Sequence, residues 1–137
     1  MPDHIMLTLD QQRAKYAWER AEKNSSYGKT YVNFTKSAPA FIMANGLMQA
    51  LAFYESRNKN DKAAHEIVMD VVDWLGLRMH PPLQHASFGS MMKSLYGMPS
   101  EQYMQATRET LAMLRWLRQF ADALKKDEPI TSTGDKK

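Results

Sequence analysis

The chain has 137 residues, of which 44% are hydrophobic, and this length suits one domain with a single continuous core. It contains no cysteine, which excludes a disulfide framework and a thiolate zinc site, so we expect a cytoplasmic protein. The formal net charge of +3 favours association with a polyanion but is also common in proteins that never bind one.

The N-terminal sequence lacks the basic and apolar regions of a signal peptide, and no stretch approaches the ~18 apolar residues of a membrane span. We therefore expect an unexported protein without a membrane partner. Apolar residues recur at steps of three and four through most of the chain, and alternating strand-like runs are missing. This pattern predicts helices throughout.

The first predicted helix begins at Thr8, whose side chain can cap the first turn, with Gln11 completing a capping box. Its inward stripe is predicted to be Ala14, Ala17, Trp18 and Ala21. A second helical segment runs from about 29 to 44 and contains Pro39, which must kink or split it because proline lacks the amide donor. One kinked helix and two short helices both fit this pattern.

The Asn45-Gly46 pair supplies a residue that tolerates positive φ, which predicts a helix stop and a tight corner before a new stripe at Leu47. The polar run 57–61 is interpreted as a surface connection. A strongly amphipathic helix follows and is predicted to end near Gly76.

Two adjacent prolines, Pro81 and Pro82, interrupt the helical pattern after that point because they break the amide ladder. A short Met-rich helix is predicted over 88–96. Ser100 is then predicted to cap the last and longest helix, which we expect to anchor the molecule.

The predicted fold class is all-α, a compact single-domain bundle of about five or six helices that occupies residues 1–125. Residues 126–137 are polar and contain one large apolar side chain. Such a segment gains too little from ordering to offset its conformational entropy, so we predict a disordered C-terminal tail.

The sequence offers no recognisable catalytic apparatus, since it has neither a glycine-rich phosphate loop nor a His-Glu-x-x-His zinc helix. Glu66, Asp70 and Asp73 share one helical face, interpreted as a solvated acidic face, with a docking surface for a basic partner or a hard-cation site as alternatives. His80 and His85 lack a third ligand nearby. We therefore expect no enzyme activity, no cofactor and no metal site.

Positive charge is concentrated in particular segments. No acid occurs between Lys23 and Tyr54, and the lysines there are interleaved with aromatic and amide side chains, a mixture that suits a ribose-phosphate strand. The alternative is an ordinary charged helix exterior with local ion pairs. Stripes on one face are predicted for the first and last helices, formed by Arg13, Arg20 and Lys23 and by Arg108, Arg115, Arg118 and Lys125.

Three segments carry a resemblance to a known family: LTLDQQRAKYAWERAE at 7–22, SAPAFIMANGLMQALAFYESR at 37–57 and YMQATRETLAMLRWLRQFADAL at 103–124. In this order they resemble the small α-helical subunit of the type III-B (Cmr-type) CRISPR effector complex. Family members often place a basic residue just before the Asn-Gly corner, where this chain has Met43-Ala44, so no RNA contact is expected there.

The resemblance implies a non-catalytic structural subunit that acts in antiviral defence. Its implied partners are the other subunits of the Cmr-type complex, further copies of itself, and guide and target RNA held through backbone contacts. The RNA-binding candidates that it implies are Arg13, Lys15, Arg20, Arg108, Arg115 and Arg118, with the adjoining Lys23, Lys29 and Lys36 as seconds. The alternative function is a helical protein-interaction adaptor that never contacts RNA and uses the acidic face and Met-rich surfaces.

Overall fold

The computed structural model describes residues 6–126, and within this range the chain forms six α-helices and no strand. This confirms the predicted all-α bundle. Apart from Lys126, the predicted disordered tail lies outside the described residues. The elements are α1 (Leu9–Lys23), a short 3-10 turn (Ser25–Tyr27), α2 (Gly28–Asn45), α3 (Leu47–Ser56), α4 (Lys62–Arg78), α5 (Phe88–Gly97) and α6 (Ser100–Leu124).

Helix α1 begins with the predicted capping box. The Gln11 amide donates to Thr8 Oγ1 at 3.1 Å, and the Thr8 amide donates to Gln11 Oε1 at 2.8 Å. Ala17 is fully buried on the inner face, as predicted, but Trp18 is 41% exposed, so its inward placement was wrong. Because Trp18 is turned by about 100° around the helix axis from Ala17, it lies at the border of the buried face and packs edge-to-face on Phe120.

Helix α2 passes through Pro39 as one continuous helix, which decides between the two alternatives that the sequence left open. Packing of α2 against α3, α4 and α6 outweighs the local cost of the missing amide donor. The helix stops at the predicted corner, where Gly46 has φ of +89° and its amide donates to the Ile42 carbonyl at 2.7 Å. Glycine adopts this backbone conformation without strain.

Helix α4 continues two residues beyond the predicted end at Gly76 and ends at Arg78. Gly76 does not end the helix but leaves room for the 79–86 connection, which folds back over it. The Leu83 amide donates to the Gly76 carbonyl at 3.0 Å. A Cβ atom at position 76 would lie only 2.6 Å from the Leu83 carbonyl oxygen.

Ser100 does not cap α6, so that prediction was wrong. The N-cap position belongs to Pro99 and carries no side-chain capping bond, and Ser100 is the first helical residue. Proline fixes its own φ near the value seen here, −58°, and therefore orders the chain just before the helix without a side-chain acceptor.

Helix α6 is the centre of the bundle and packs against α1, α2 and α4. Contacts between α1 and α6 advance together along both helices, from Arg13 with Glu109 to Trp18 with Phe120, so these two helices run in parallel. The inner face of α6 buries Leu114. The other fully or nearly fully buried apolar and hydroxyl side chains of this face are Thr110, Met113, Leu117 and Ala121.

Candidate nucleic-acid interface

Arg20, on the predicted basic stripe of α1, points into the fold and binds a buried carboxylate. Its Nε atom donates to Asp70 Oδ1 at 2.7 Å, and Nη1 donates to Asp73 Oδ2 at 3.2 Å. The Arg20 side chain is only 14% exposed, and that of Asp70 is completely buried. Arg20 therefore joins α1 to α4 inside the bundle.

Asp70 is surrounded by further donors from two other segments. The Tyr31 hydroxyl donates to Oδ2, and the Asn24 amide nitrogen lies 3.3 Å from Oδ1. The Tyr16 hydroxyl donates to the backbone carbonyl of Asp70 at 2.6 Å. Burial nevertheless raises the pKa of Asp70 to about 6, although Arg20 and Tyr31 act in the opposite direction.

Arg13 makes the second interior ion pair of α1. Its Nε and Nη2 atoms donate to the two carboxylate oxygens of Glu109 on α6, each at 2.8 Å, and the Trp74 indole donates to Glu109 Oε2 at 3.0 Å. Burial alone would raise the pKa of Glu109, but the hydrogen bonds from Arg13 and Trp74 outweigh it and hold this pKa below its ordinary value.

Two residues of the predicted basic stripe of α1 thus belong to the fold rather than to an open surface. Arg13 and Arg20 lie four residues before and three residues after the fully buried Ala17, so all three share the inner face. The sequence already contained evidence for this inward orientation. The positive charge of the two arginines suggested a surface position, whereas their spacing from the buried Ala17 places them on the core-facing side of α1.

The solvated acidic face predicted on α4 was also wrong, because its central member Asp70 is the most deeply buried carboxylate of the site. Asp70 lies between Ile67 and Trp74 at steps of three and four and therefore on the core face. Its oxygens are occupied by Arg20, Asn24 and Tyr31. A docking face that uses Asp70 is excluded on the same ground.

The outer face of α6 carries three of the candidates in exposed positions. Arg108, Arg115 and Arg118 lie within an arc of roughly 80° around the helix axis, on the side away from the buried stripe. Arg108 and Arg115 also line a shallow depression between α1 and α6. Arg115 is near enough to Asp10 to help lower the pKa of that carboxyl, which the Trp116 indole lowers most.

Helix α2 extends this basic surface on one side of α6. Lys36 and Arg118 both lie close enough to Asp122 to lower the pKa of its carboxyl, although Lys125 lowers it more. Lys29 is exposed two helical turns before Lys36 on the same face of α2. Because α2 contains no acid, its contribution to this surface is purely positive.

The two remaining candidates on α1 have acidic partners at the surface. Lys15 Nζ lies 2.9 Å from Glu19 Oε2, with both side chains more than half exposed. Lys23 Nζ lies 3.9 Å from Glu66 Oε1. The structure therefore leaves five basic candidates exposed on α2 and α6, of which Lys36 and Arg118 lie near the same carboxyl. Lys15 and Lys23 are weaker candidates because an acidic side chain lies close to each.

The two histidines considered as metal ligands, His80 and His85, do not form a site. His85 lies in the 79–86 connection with φ of 54°, and His80 borders a groove described below. Within residues 6–126 no three metal-ligating side chains converge. No helix in that range has the length and apolar character needed to cross a membrane.

Comparison with known proteins identifies the family. The model of the CRISPR-associated protein family Cas_Cmr5 matches residues 9–124. The CRISPR system Cmr subunit Cmr5 of Thermus thermophilus is 33% identical over 123 residues, covering 87% of this chain and 97% of that protein. The crystal structure of a CRISPR-associated Cmr5 family protein from Thermus thermophilus superposes with a TM-score of 0.72 at 28% identity, covering 88% of this chain and 100% of that one. The resemblance seen in the sequence is thus confirmed, and the chain belongs to the Cmr5 family of CRISPR-associated proteins.

Proposed function

We propose that this protein is a non-catalytic structural subunit of a Cmr-type CRISPR ribonucleoprotein effector and acts in antiviral defence in the cytoplasm. Membership of the Cmr5 family and the similarity to a Cmr subunit over nearly its whole length support a place in such a complex. Its partners are the other effector subunits and further copies of the same chain.

The proposed RNA-contact surface is the outer face of α6 together with the exposed face of α2. The observation that carries it is the exposure of five basic side chains on two helices that pack against each other: Lys29, Lys36, Arg108, Arg115 and Arg118. Such a surface suits contact with phosphates of guide or target RNA rather than recognition of bases. Sequence specificity in an RNA-guided complex comes from base pairing.

Arg13 and Arg20 are left out of this surface. Their side chains are 20% and 14% exposed, and each already neutralises a buried carboxylate. Withdrawing either arginine to bind RNA would leave its carboxylate without a cation, which costs about 1–3 kcal/mol at the partly accessible Glu109 and about 3–5 kcal/mol at the buried Asp70. Lys15 and Lys23 are secondary candidates because surface pairs such as theirs are worth about 1 kcal/mol or less and exchange readily.

The test replaces Arg108, Arg115 and Arg118 by Gln in the reconstituted effector complex and measures target-RNA affinity over a range of salt concentrations. We expect weaker binding and a plot of log Kd against log salt that is shallower by about one for each lost phosphate contact. The matched control replaces Arg57, Lys59 and Lys62, an equal charge change on the exposed connection before α4 and its first residue.

An unchanged salt slope in the α6 variant would contradict RNA contact and favour the adaptor alternative, in which the protein binds only other proteins. Recovery of a guide-loaded effector complex that excludes the wild-type chain would contradict the proposed function as a whole.

A further inference from the structure

A groove of about 650 Å³ lies between the end of α4, the 79–86 connection, α5 and the first half of α6. Its volume is in the range of sites that enclose a ligand-sized group. The walls are mainly apolar, and their large side chains include Leu75, Met79, Leu83, Met91, Leu95 and Met98. None of the exposed arginines of α6 lines the groove, although Gln105 and Glu109 separate it from the depression that Arg108 and Arg115 line.

The groove also carries a positive charge at its edge. Arg78 lines it, and its Cζ atom lies 5.8 Å from the centroid of the Trp74 ring, which fixes the guanidinium at the end of α4. Glu109 is the nearby carboxylate, but Arg13 occupies both of its oxygens. No carboxylate within residues 6–126 lies within 4 Å of the Arg78 nitrogens.

The wall formed by the 79–86 connection is preformed. The Leu83 amide donates to the Gly76 carbonyl. The backbone of Leu83 approaches so closely that a side chain at position 76 would collide with the Leu83 carbonyl oxygen. Ala86 is buried and holds the other end of the connection against the core. A preformed wall reduces the ordering cost of binding, while methionine side chains adapt to the shape of an occupant.

We propose that this groove binds a segment of a neighbouring protein subunit that carries large apolar side chains and one Asp or Glu, whose carboxylate pairs with Arg78. Apolar walls with a single guanidinium that has no carboxylate within 4 Å among residues 6–126 match that composition. RNA fits less well, because binding a polyanion depends on several cations and the groove offers no continuous basic wall. The inference rests on the proposed function in that the neighbour belongs to the same effector complex.

Two variants test the groove by titration into the effector complex reconstituted from its other subunits. Ala106→Trp places a large side chain into the groove, and Arg78→Gln removes the cation while preserving most of the side chain. We expect the concentration for half-maximal incorporation to rise by about tenfold or more for each. Asn60→Trp and Lys62→Gln are matched controls at the opposite end of α4. Their concentrations for half-maximal incorporation should equal that of the wild type.

Thermal unfolding of each variant checks that the fold is intact, and Arg78→Gln keeps the test valid if Ala106→Trp does not fold. Incorporation of the folded groove variants at wild-type concentrations overturns the proposal. If those variants join normally while the α6 arginine variant still shows a shallower salt slope, only the groove inference fails. If the wild-type chain itself does not join, the proposed function fails with it.

The occupant is identified by a photo-crosslinking amino acid at Ser94, which lines the groove, with the same group at Asn60 as the control. In the assembled complex we expect a Ser94-specific adduct with a peptide of another effector subunit, with apolar side chains next to Asp or Glu. An adduct with RNA, an adduct with a second copy of this chain, or the absence of any adduct would each overturn the proposal.

Discussion

Helix α1 sends two arginines into the bundle, and the carboxylates that they meet are in different environments. Asp70 is completely buried and is surrounded by donors from α1, α2 and the segment between them. Glu109 also pairs with an arginine, but it borders both the groove and the shallow depression between α1 and α6, where water can approach. Similar ion pairs therefore differ in what their disruption costs.

The comparison shows that hydrogen bonds alone do not set the behaviour of a buried carboxylate. Asp70 has donors from three side chains, yet burial keeps its pKa raised to about 6. Glu109 has donors from two side chains, and they overcome its smaller burial and lower its pKa. Desolvation outweighs the donors at Asp70 and is outweighed at Glu109.

The largest effect is expected from Arg20→Met, which leaves Asp70 buried without its cation. We expect a loss of about 3–5 kcal/mol in the free energy of unfolding, measured by urea denaturation at pH 7. Adding Asp70→Asn to this variant removes the uncompensated charge and should restore part of the loss. A loss below about 1 kcal/mol for the single variant would show that water or Asn24 can replace the arginine.

A smaller effect is expected from Arg13→Met, about 1–3 kcal/mol in the same measurement. Glu109 keeps the hydrogen bond from Trp74 and gains access to water from the adjoining depressions. A cost equal to that of Arg20→Met would remove the distinction between the two carboxylates.

The pH dependence of stability should have opposite signs at the two sites. The pKa of Asp70 is raised in the folded state, so its contribution to stability is complete below its ordinary pKa of 3.8 and is lost as pH rises through about 6. The pKa of Glu109 is lowered, so its contribution is present above its ordinary value of 4.5 and is lost as pH falls through the folded-state pKa.

Urea unfolding between pH 3 and 8 measures both contributions, with Asp70→Asn and Glu109→Gln as references. The stability difference between the wild type and Asp70→Asn should decline from pH 4 to above pH 6 and then level off. The difference for Glu109→Gln should decline only toward acid. Parallel curves for the two variants would contradict the assignment of opposite shifts.

The smallest effect is expected at the exposed pair of Lys15 and Glu19, which gives a baseline for the interior pairs. Lys15→Ala should change the free energy of unfolding by less than about 0.5 kcal/mol, because solvent screens an i,i+4 pair on a helix surface. A change as large as that of Arg13→Met would mean that burial is not what distinguishes these pairs.

Local signals predicted the parts of the fold that depend on neighbouring residues. Thr8 with Gln11 and the corner at Gly46 form as expected, since each satisfies backbone groups within four residues. The continuity of α2 through Pro39 could not be predicted, because it depends on packing against helices distant in the sequence. The role of Gly76 could not be predicted either, because a glycine is needed there only where the Leu83 backbone approaches it.

The basic candidates also divide into those whose orientation follows from nearby residues and those whose orientation depends on a distant partner. The outer face of α6 could be predicted from the spacing of Arg108 and Arg115 relative to the apolar stripe of that helix. The inward direction of Arg20 required knowledge of its partner, and Asp70 lies 50 residues away in the sequence. A charged residue three or four positions from a small buried residue such as Ala17 is the pattern that should prompt a search for a buried counter-charge.

The hydrogen bond from the Trp74 indole to Glu109 also gives the molecule a built-in optical reporter. Trp74 senses the interior pair directly, whereas Trp116 donates to Asp10 beside Arg115 and Trp18 is partly exposed near Phe120. Variants that keep a single tryptophan would separate the fluorescence of the core from that of the α1–α6 surface. The titration of Glu109 and the proposed binding of RNA to the arginines of α6 could then be followed at different positions in one chain.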